Sequence, residues 1–289
     1  GEGLRDEVLE LEEMGHKRLL MVYGEHPKYG VDYICDTIET AYQTKTPDGT
    51  GVISRITINA APMEVEEYRK IKEVGIGTYQ VFQETYHPGR YAELHPKHTK
   101  KADFAWRLYA LHRAQEAGLD DVAVGALFGL YDWKFEVLGL LYHALDLEKQ
   151  FNVGPHTVSF PRLEPALNSP LTTDSPYLVG NDDFKKVISI IRLMVPYTGM
   201  ILTAREKPEY RKELIELGCS QIDAGTKIGI GSYKESEEDQ HLEKQQFTIY
   251  DTRSLDEVIL ELSQSGFIPS FCTGCYRKSR TGATFMGLA

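Results

Sequence analysis

The chain has 289 residues, of which 42% are hydrophobic and 26% are charged, and it carries a net charge of −11. This composition is ordinary for a globular domain, and the acidic balance, without any block of Lys and Arg, argues against nucleic acid as the main partner. No apolar run approaches the roughly 18 residues of a membrane-spanning helix, and no secretory signal opens the chain. We therefore expect a cytoplasmic protein with no membrane partner.

Helices and strands alternate along the whole sequence. Apolar residues at helical spacing predict helices over 2–14, 30–45, 63–74, 133–150, 181–194, 208–217 and 254–264, and a long helix ending at Gly118. Short apolar runs predict strands over 19–23, 53–61, 78–85, 122–128, 156–160, 199–203 and 220–224. A polar loop with three histidines separates the third strand from the long helix, and a glycine-rich acidic loop spans 225–246.

This alternation predicts βαβ units and a parallel sheet. Seven strands fit either a doubly wound sheet or most of an eight-stranded barrel, and we favour an α/β fold of the parallel (β/α)8 TIM type. Gly1 lies inside a helical pattern and Ala289 follows no helix stop, so we expect a longer protein whose first βα unit lies upstream. Residues 1–252 would then form the β2–β8 portion of the barrel, and 253–289 would begin a C-terminal cluster-binding extension.

Two of the four cysteines, Cys272 and Cys275, form a C-x-x-C pair, whereas Cys35 and Cys219 stand alone. In a cytoplasmic protein such a pair favours a metal or redox role over a structural disulfide. Two thiolates do not complete a structural zinc site or an iron–sulfur cubane. A residue beyond Ala289 or a non-protein ligand would complete the site. The alternative is a reduced pair in a solvent-facing turn.

Polar residues follow several predicted strands, where TIM-type barrels carry their functional groups. Glu25 follows Gly24 after the first strand, and Gln83-Glu84 ends the third. A carboxylate in such a place binds an ammonium group or ribose hydroxyls, but it also suits a solvated turn or a helix cap. Gly125, Leu127 and Gly129 end the fourth strand in a G-x-L-x-G pattern, which by itself is weak evidence for a nucleotide site.

Basic residues near the same positions suggest a second binding function. Arg162 and Arg205 end adjacent strands, and two arginines so placed can clamp a carboxylate. Arg107 lies on the long helix, where a surface salt bridge is the ordinary role. His156 begins the fifth strand, where a hydrogen-bonded structural histidine is the more common interpretation.

Several stretches together make the chain resemble the radical S-adenosylmethionine family, and within it the tyrosine lyases of [FeFe]-hydrogenase maturation. They cover nearly the whole chain, and the last is the most specific. They are residues 14–19, 24–27, 75–86, 127–131, 153–157, 195–200 and 271–282.

The resemblance implies a role for each polar position. Tyr23-Gly24-Glu25 matches the GGE motif that holds the methionyl amino group, with Tyr23 in place of the first glycine. Glu84 matches the ribose-binding position, and Arg107 matches the arginine that holds the methionyl carboxylate. The residues Gly125, Leu127, Gly129 and Asp132 match the adenine-binding G-x-I-x-G-x-x-E pattern, with Leu for Ile and Asp for Glu.

The metal and substrate roles also come from the resemblance or from strand-end positions. Cys272 and Cys275 match two of three cysteines that hold an auxiliary [4Fe-4S] cluster, and His156 matches the ligand of an additional iron. Gln83, Arg162 and Arg205 are the candidates for binding L-tyrosine. The implied cofactors of the full-length protein are S-adenosylmethionine and two [4Fe-4S] clusters, and the implied partners are other hydrogenase maturation proteins.

One departure from the family pattern matters. The C-x-x-x-C-x-x-C motif that binds the first cluster does not occur in this sequence, nor does the third auxiliary cysteine. Activity would therefore need residues outside this chain. The competing hypotheses are a non-catalytic zinc or iron carrier that uses the C-x-x-C pair on a barrel, and an ordinary barrel aldolase with Lys227 as catalytic lysine.

Overall fold

The computed structural model describes residues 2–165, 169–226, 249–271 and 282–288. Seven parallel strands form one curled sheet in which each strand pairs with the next along the chain, in the order β1 to β7. The strands are β1 Arg18–Val22, β2 Arg55–Asn59, β3 Tyr79–Gln80, β4 Val122–Gly125, β5 Thr157–Ser159, β6 Gly199–Leu202 and β7 Gln221–Ile222.

Helices connect these strands, as parallel pairing requires. They are α1 Glu2–Glu13, α2 Val31–Gln43, α3 Val65–Val74, α4 Pro88–Leu94, α5 Phe104–Leu108, α6 Ala110–Glu116, α7 Trp133–Phe151, α8 Leu171–Asp174, α9 Asn181–Met194, α10 Pro208–Glu216, α11 Leu255–Gln264 and α12 Gly282–Leu288, with a 3₁₀ turn at Lys100–Ala102. The sequential strand order excludes a doubly wound sheet, in which the order reverses, and confirms the TIM-type prediction.

The core lies between the sheet and the helices that cover it. All four residues of β4 are buried, as expected for a parallel strand covered on both faces. Helix α9 shows the matching helical pattern, because Phe184, Val187, Ile188 and Ile191 are all buried on one face. Among the described residues, no helix combines the length and apolar character needed to cross a membrane.

Three local predictions differ from the structure. The long helix before Gly118 is divided into the 3₁₀ turn, α5 and α6. Asp103 caps α5 by accepting from the Trp106 amide at 2.8 Å, and at the boundary of α5 and α6 the Arg113 side chain donates to the Trp106 carbonyl at 2.7 Å and stacks on the Trp106 ring. The third strand shrinks from 78–85 to two residues. The predicted loop contains α4, which begins with His87 accepting from the Arg90 amide and with Pro88 in the first turn.

Candidate active site

The candidate residues follow the carboxyl ends of the strands, which meet at one edge of a parallel sheet. Glu25 follows β1, Gln83 and Glu84 follow β3, Gly125 ends β4, and the two candidate arginines follow β5 and β6. We call this edge the carboxyl mouth. The opposite ends of the strands form the amino mouth, where Arg55, Asp121 and His156 lie.

Glu84 and Arg107 meet at the carboxyl mouth. The Arg107 Nη2 atom donates to Glu84 Oε1 at 3.1 Å, and its Nε donates to the Phe82 carbonyl at 2.6 Å. Lys101 places its Nζ 3.3 Å from the same Glu84 oxygen. Arg107 is 9% exposed, so the ordinary alternative of a surface salt bridge does not apply: it is a buried group fixed against the end of β3. Lys101, which the sequence did not single out, belongs to the same cluster.

The backbone at Glu84 is strained. Its φ of +69° is one of two positive values among the described non-glycine residues. The Thr85 amide donates to the Gln83 carbonyl at 3.0 Å, which closes a γ-turn around Glu84. A positive φ at such a residue costs about 1–3 kcal/mol and persists only when the surroundings enforce it. Strain of this kind is concentrated at functional sites.

Gln83 has a buried side-chain amide without a partner. The residue is 2% exposed, and neither Oε1 nor Nε2 has a hydrogen bond within the described residues. A buried amide left unpaired costs about 1–3 kcal/mol. The backbone of Gln83 is fixed, since its amide donates to the Gly125 carbonyl at 3.0 Å. The Gln83 Oε1 and Nε2 atoms are therefore available to hydrogen-bond a ligand.

Gly24 and Glu25 are exposed after β1. Tyr91 is linked to the neighbouring cluster, since its phenol hydroxyl donates to the Lys101 carbonyl. Burial raises the pKa of Tyr91 to about 12, Arg107 opposes this, and the carboxylates of Glu84, Asp103 and Glu25 add to it. Glu25 thus contributes to the electrostatic field at the same phenol as Glu84 and Arg107, as expected for a residue that follows β1 at the carboxyl mouth.

The two glycines that follow β4 have structural reasons to be glycine. A Cβ on Gly125 would meet a Phe82 ring carbon at 2.5 Å and the Ser159 carbonyl at 2.9 Å. Gly129 has a φ of +111°, and its Cβ would press on Leu163. The half-buried Leu127 donates its amide to the Glu84 carbonyl at 2.8 Å. The G-x-L-x-G segment is thus required by packing and supports the Glu84 turn.

Asp132 follows this segment. Its side chain caps α7 by accepting from the Lys134 amide at 2.8 Å. A capping role of this kind is what Asp at a helix start ordinarily provides.

The two candidate arginines differ in the structure. Arg162 forms a bidentate pair with Glu206, with Nε 2.8 Å from Oε1, and also donates to the Val179 carbonyl and the Asn181 side chain. Its guanidinium is therefore occupied, and the structure does not present the two arginines as an open clamp. Arg205 donates to the Arg162 carbonyl at 3.1 Å. Burial lowers the pKa of Arg205, and the carboxylates of Glu164 and Glu84 oppose that shift.

His156 lies at the amino mouth, away from Glu84. It is 5% exposed, and its Nε2 accepts from the Gly282 amide at 3.3 Å, so α12 begins beside it. Burial lowers its pKa, which favours the neutral imidazole. Cys272, Cys275 and Lys227 lie outside the described residues. Within the described ranges, no group of three or more His, Cys, Asp and Glu side chains is arranged to hold a metal ion.

Comparison with known proteins finds one matching domain family and two curated relatives. The Biotin and Thiamin Synthesis associated domain matches residues 159–268. The 2-iminoacetate synthases of Salmonella typhimurium and Escherichia coli are each 32% identical over 261 residues, covering 90% of this chain and 65% of the relative. The chain therefore spans slightly less than two thirds of the curated relatives it matches.

Solved structures give the same result. HydG, a maturase of the [FeFe]-hydrogenase, is 51% identical with a TM-score of 0.93, covering 99% of this chain and 61% of HydG. HydG from Carboxydothermus hydrogenoformans is 45% identical with a TM-score of 0.85, covering 96% of this chain and 61% of that protein. Methylornithine synthase, at 19% identity and a TM-score of 0.67, shares the fold.

The chain is similar to radical S-adenosylmethionine proteins, and its curled parallel sheet is consistent with the TIM-type barrel of that class. Within that class the chain resembles HydG over almost its whole length, which confirms the resemblance drawn from the sequence.

Proposed function

We propose that the full-length protein is a radical S-adenosylmethionine L-tyrosine lyase. The observation that carries this proposal is that two unusual residues are adjacent in the chain. Glu84, at the position expected to bind ribose, has a strained backbone, and Gln83 has a buried amide without a partner among the described residues. In this proposal Glu84 binds the cofactor and Gln83 binds the substrate, both at the end of β3. The similarity to HydG and to the 2-iminoacetate synthases supports the same reaction class.

The residues of the carboxyl mouth fit S-adenosylmethionine. Glu84 accepts from the ribose hydroxyls, and both of its described side-chain contacts fall on Oε1. Arg107, fixed by the Phe82 carbonyl, holds the methionyl carboxylate, and Glu25 accepts from the methionyl ammonium. The backbone from Gly125 through Leu127 to Gly129 lines the adenine. When bound, the cofactor and its [4Fe-4S] cluster supply the radical that abstracts hydrogen from tyrosine.

Tyrosine binds deeper in the sheet in this proposal. Gln83 offers an amide donor and acceptor in a buried place where water is excluded. Arg205 attracts the substrate carboxylate, and Arg162 orients Arg205 through its carbonyl. Transfer of one hydrogen atom from tyrosine to the 5′-deoxyadenosyl radical would give 5′-deoxyadenosine. Cleavage of the Cα–Cβ bond would then give dehydroglycine, which is 2-iminoacetate, and a p-cresol radical that one electron from the added reductant and one proton convert to p-cresol.

The second cluster, when bound, would supply the chemistry that converts dehydroglycine to carbon monoxide, cyanide, water and a proton. We assign Cys272 and Cys275 as its ligands and His156 as ligand to the additional iron, to yield an iron–carbonyl–cyanide product for other hydrogenase maturation proteins. His156 lies within the buried amino mouth, and Gly282 contacts it only seven residues after Cys275.

The test uses full-length protein reconstituted anaerobically with iron and sulfide, then given S-adenosylmethionine, L-tyrosine and a strong reductant. We expect iron with equimolar acid-labile sulfide, together with p-cresol and 5′-deoxyadenosine by mass spectrometry. Zinc without sulfide, and no p-cresol, would overturn the proposal in favour of the metal-carrier function.

A double variant distinguishes the roles of the two clusters. Cys272→Ser with Cys275→Ser should leave the barrel folded and p-cresol formation detectable, and should abolish release of carbon monoxide and delivery of iron. If the double variant still delivers both, the C-x-x-C pair is not the assembly site.

A further inference from the structure

Glu136 is a fully buried carboxylate on α7, the helix that follows β4 and the G-x-L-x-G segment. It lies in the first turn of α7 and is 0% exposed. Its Oε1 contacts the Thr85 hydroxyl, and its Oε2 accepts from the Tyr86 amide at 2.8 Å. Both partners directly follow Glu84 in the chain.

A carboxylate at this place is costly. Val137 and Leu140, its neighbours on α7, are buried apolar residues of the core, as is usual between a helix and a sheet. Burial raises the pKa of Glu136 to about 7, which measures how poorly the site tolerates the charge. A core position that keeps a buried acid against this cost calls for a reason other than packing.

The strained turn supplies that reason. Upstream, the Gln83 amide is bonded to the Gly125 carbonyl, and the Glu84 carbonyl itself accepts from Leu127, at 3.0 and 2.8 Å. Both restraints come from the strand β4 and its extension. Downstream of Glu84, the corresponding restraint is Glu136, which contacts the Thr85 hydroxyl and accepts from the Tyr86 amide.

A second group on the same helix reinforces this restraint. His143 lies seven residues after Glu136 and so shares its face of α7. Its Nδ1 is 2.9 Å from the Tyr86 hydroxyl. Glu136 therefore fixes the backbone at Tyr86, and His143 fixes the Tyr86 side chain.

We propose that Glu136 is a positioning residue, which fixes the turn at Glu84 so that the Glu84 carboxylate and the Gln83 amide face their ligands. This inference rests on the proposed function, because it assumes that Glu84 binds S-adenosylmethionine. Glu136 acts through Thr85 and Tyr86 and touches neither ligand.

The test compares three variants of the full-length protein. Glu136→Leu keeps the volume and removes both acceptors. Glu136→Gln keeps both contacts, because its amide donates to the Thr85 oxygen and its carbonyl accepts from Tyr86. Leu140→Ala, one turn away, damages the packing of α7 and leaves the two contacts intact. Each is measured for its dissociation constant for S-adenosylmethionine, for amide hydrogen exchange in residues 82–88, and for urea unfolding.

We expect Glu136→Leu to weaken S-adenosylmethionine binding about tenfold, equivalent to about 1.4 kcal/mol. Exchange at the Tyr86 amide should accelerate in the same variant. Glu136→Gln should stay within about threefold of wild type in both readouts, and Leu140→Ala should lose stability without a change in affinity.

Unchanged affinity in Glu136→Leu, or an equal loss in Leu140→Ala, would overturn the inference and leave the proposed function standing. If the wild-type protein itself does not bind S-adenosylmethionine, the proposed function fails first.

Discussion

A buried ion pair at the amino mouth and a buried amide without a described partner at the carboxyl mouth are two different kinds of buried polar group. At the amino mouth, Arg55 and Asp121 are 7% and 2% exposed and form an ion pair with each other, and Arg55 also reaches the Thr78 hydroxyl at 3.2 Å. At the carboxyl mouth, Gln83 keeps an unpartnered amide and Glu84 keeps a strained backbone. Groups that satisfy one another stabilise a fold, whereas groups left unsatisfied or strained are available to a ligand.

From this contrast we expect a structural role for the Arg55–Asp121 pair and a ligand-binding role for Gln83 and Glu84. Burial alone does not separate these roles, since Arg107 and Arg55 are about equally buried, at 9% and 7%. What differs is the surrounding chain: Arg55 pairs with an acid that is itself buried, whereas Arg107 holds a partly exposed acid at a strained turn. Four predictions follow the contrast, from the largest effect to the smallest.

Asp121→Ala should destabilise the fold by about 3–5 kcal/mol, because it leaves the buried Arg55 guanidinium without its counter-charge. Urea unfolding measures the loss. The exposed neighbour Asp120 provides the control, and Asp120→Ala should change stability by no more than about 0.5 kcal/mol. The folded Asp121→Ala protein should bind S-adenosylmethionine normally, and a weakened isotherm would give the amino mouth a part in that binding.

Glu136 should make the protein less stable as pH rises from about 4.5 to about 7. Its pKa in the fold, about 7, lies above the ordinary 4.5, so the stabilising contribution is complete below 4.5 and is lost as pH rises through 7. A difference of that size corresponds to at most about 3 kcal/mol. Urea midpoints at several pH values should show this slope in wild type and its absence in Glu136→Gln. Parallel profiles would refute the assignment.

Arg107→Ala should weaken S-adenosylmethionine binding by about 1.5–3 kcal/mol, the value of a hydrogen bond to a charged group. Titration calorimetry on the reconstituted full-length protein measures it. Lys101 contacts the same Glu84 oxygen at 3.3 Å but is far more exposed, so Lys101→Ala should have the smaller effect. An unchanged isotherm for Arg107→Ala would remove Arg107 from the cofactor site.

Gln83→Leu should stabilise the protein by about 1–2 kcal/mol, because it removes a buried amide that has no partner in the described structure. The same change should raise the dissociation constant for tyrosine. Gln115 is the matched control, since it is also buried but donates to the Val153 carbonyl at 3.1 Å. Gln115→Leu should not stabilise. A loss of stability in Gln83→Leu would mean that its amide is already satisfied.

Much of this protein was readable from the order of its residues. The alternation of helix and strand predicted all seven strands and their parallel pairing, because right-handed βαβ connections leave few other arrangements. Placing candidates after strand ends brought Glu25, Gln83 and Glu84 to one mouth, since parallel strands share a direction. His156, which begins a strand, lies at the other mouth in the structure.

Tertiary structure decided what those residues do there. Nothing in the sequence shows that Glu206 occupies Arg162, that Gly125 is required by the Phe82 ring, or that the Arg113 side chain donates to the Trp106 carbonyl at the boundary of α5 and α6. Each of these depends on a contact between residues that are brought together only by folding. Glu136 was missed for a related reason: an acid in the first turn of a helix suits the helix dipole, and that ordinary explanation conceals its contacts with Thr85 and Tyr86. Local sequence determines the period and direction of an element, whereas hydrogen-bond partners are chosen only when distant segments meet.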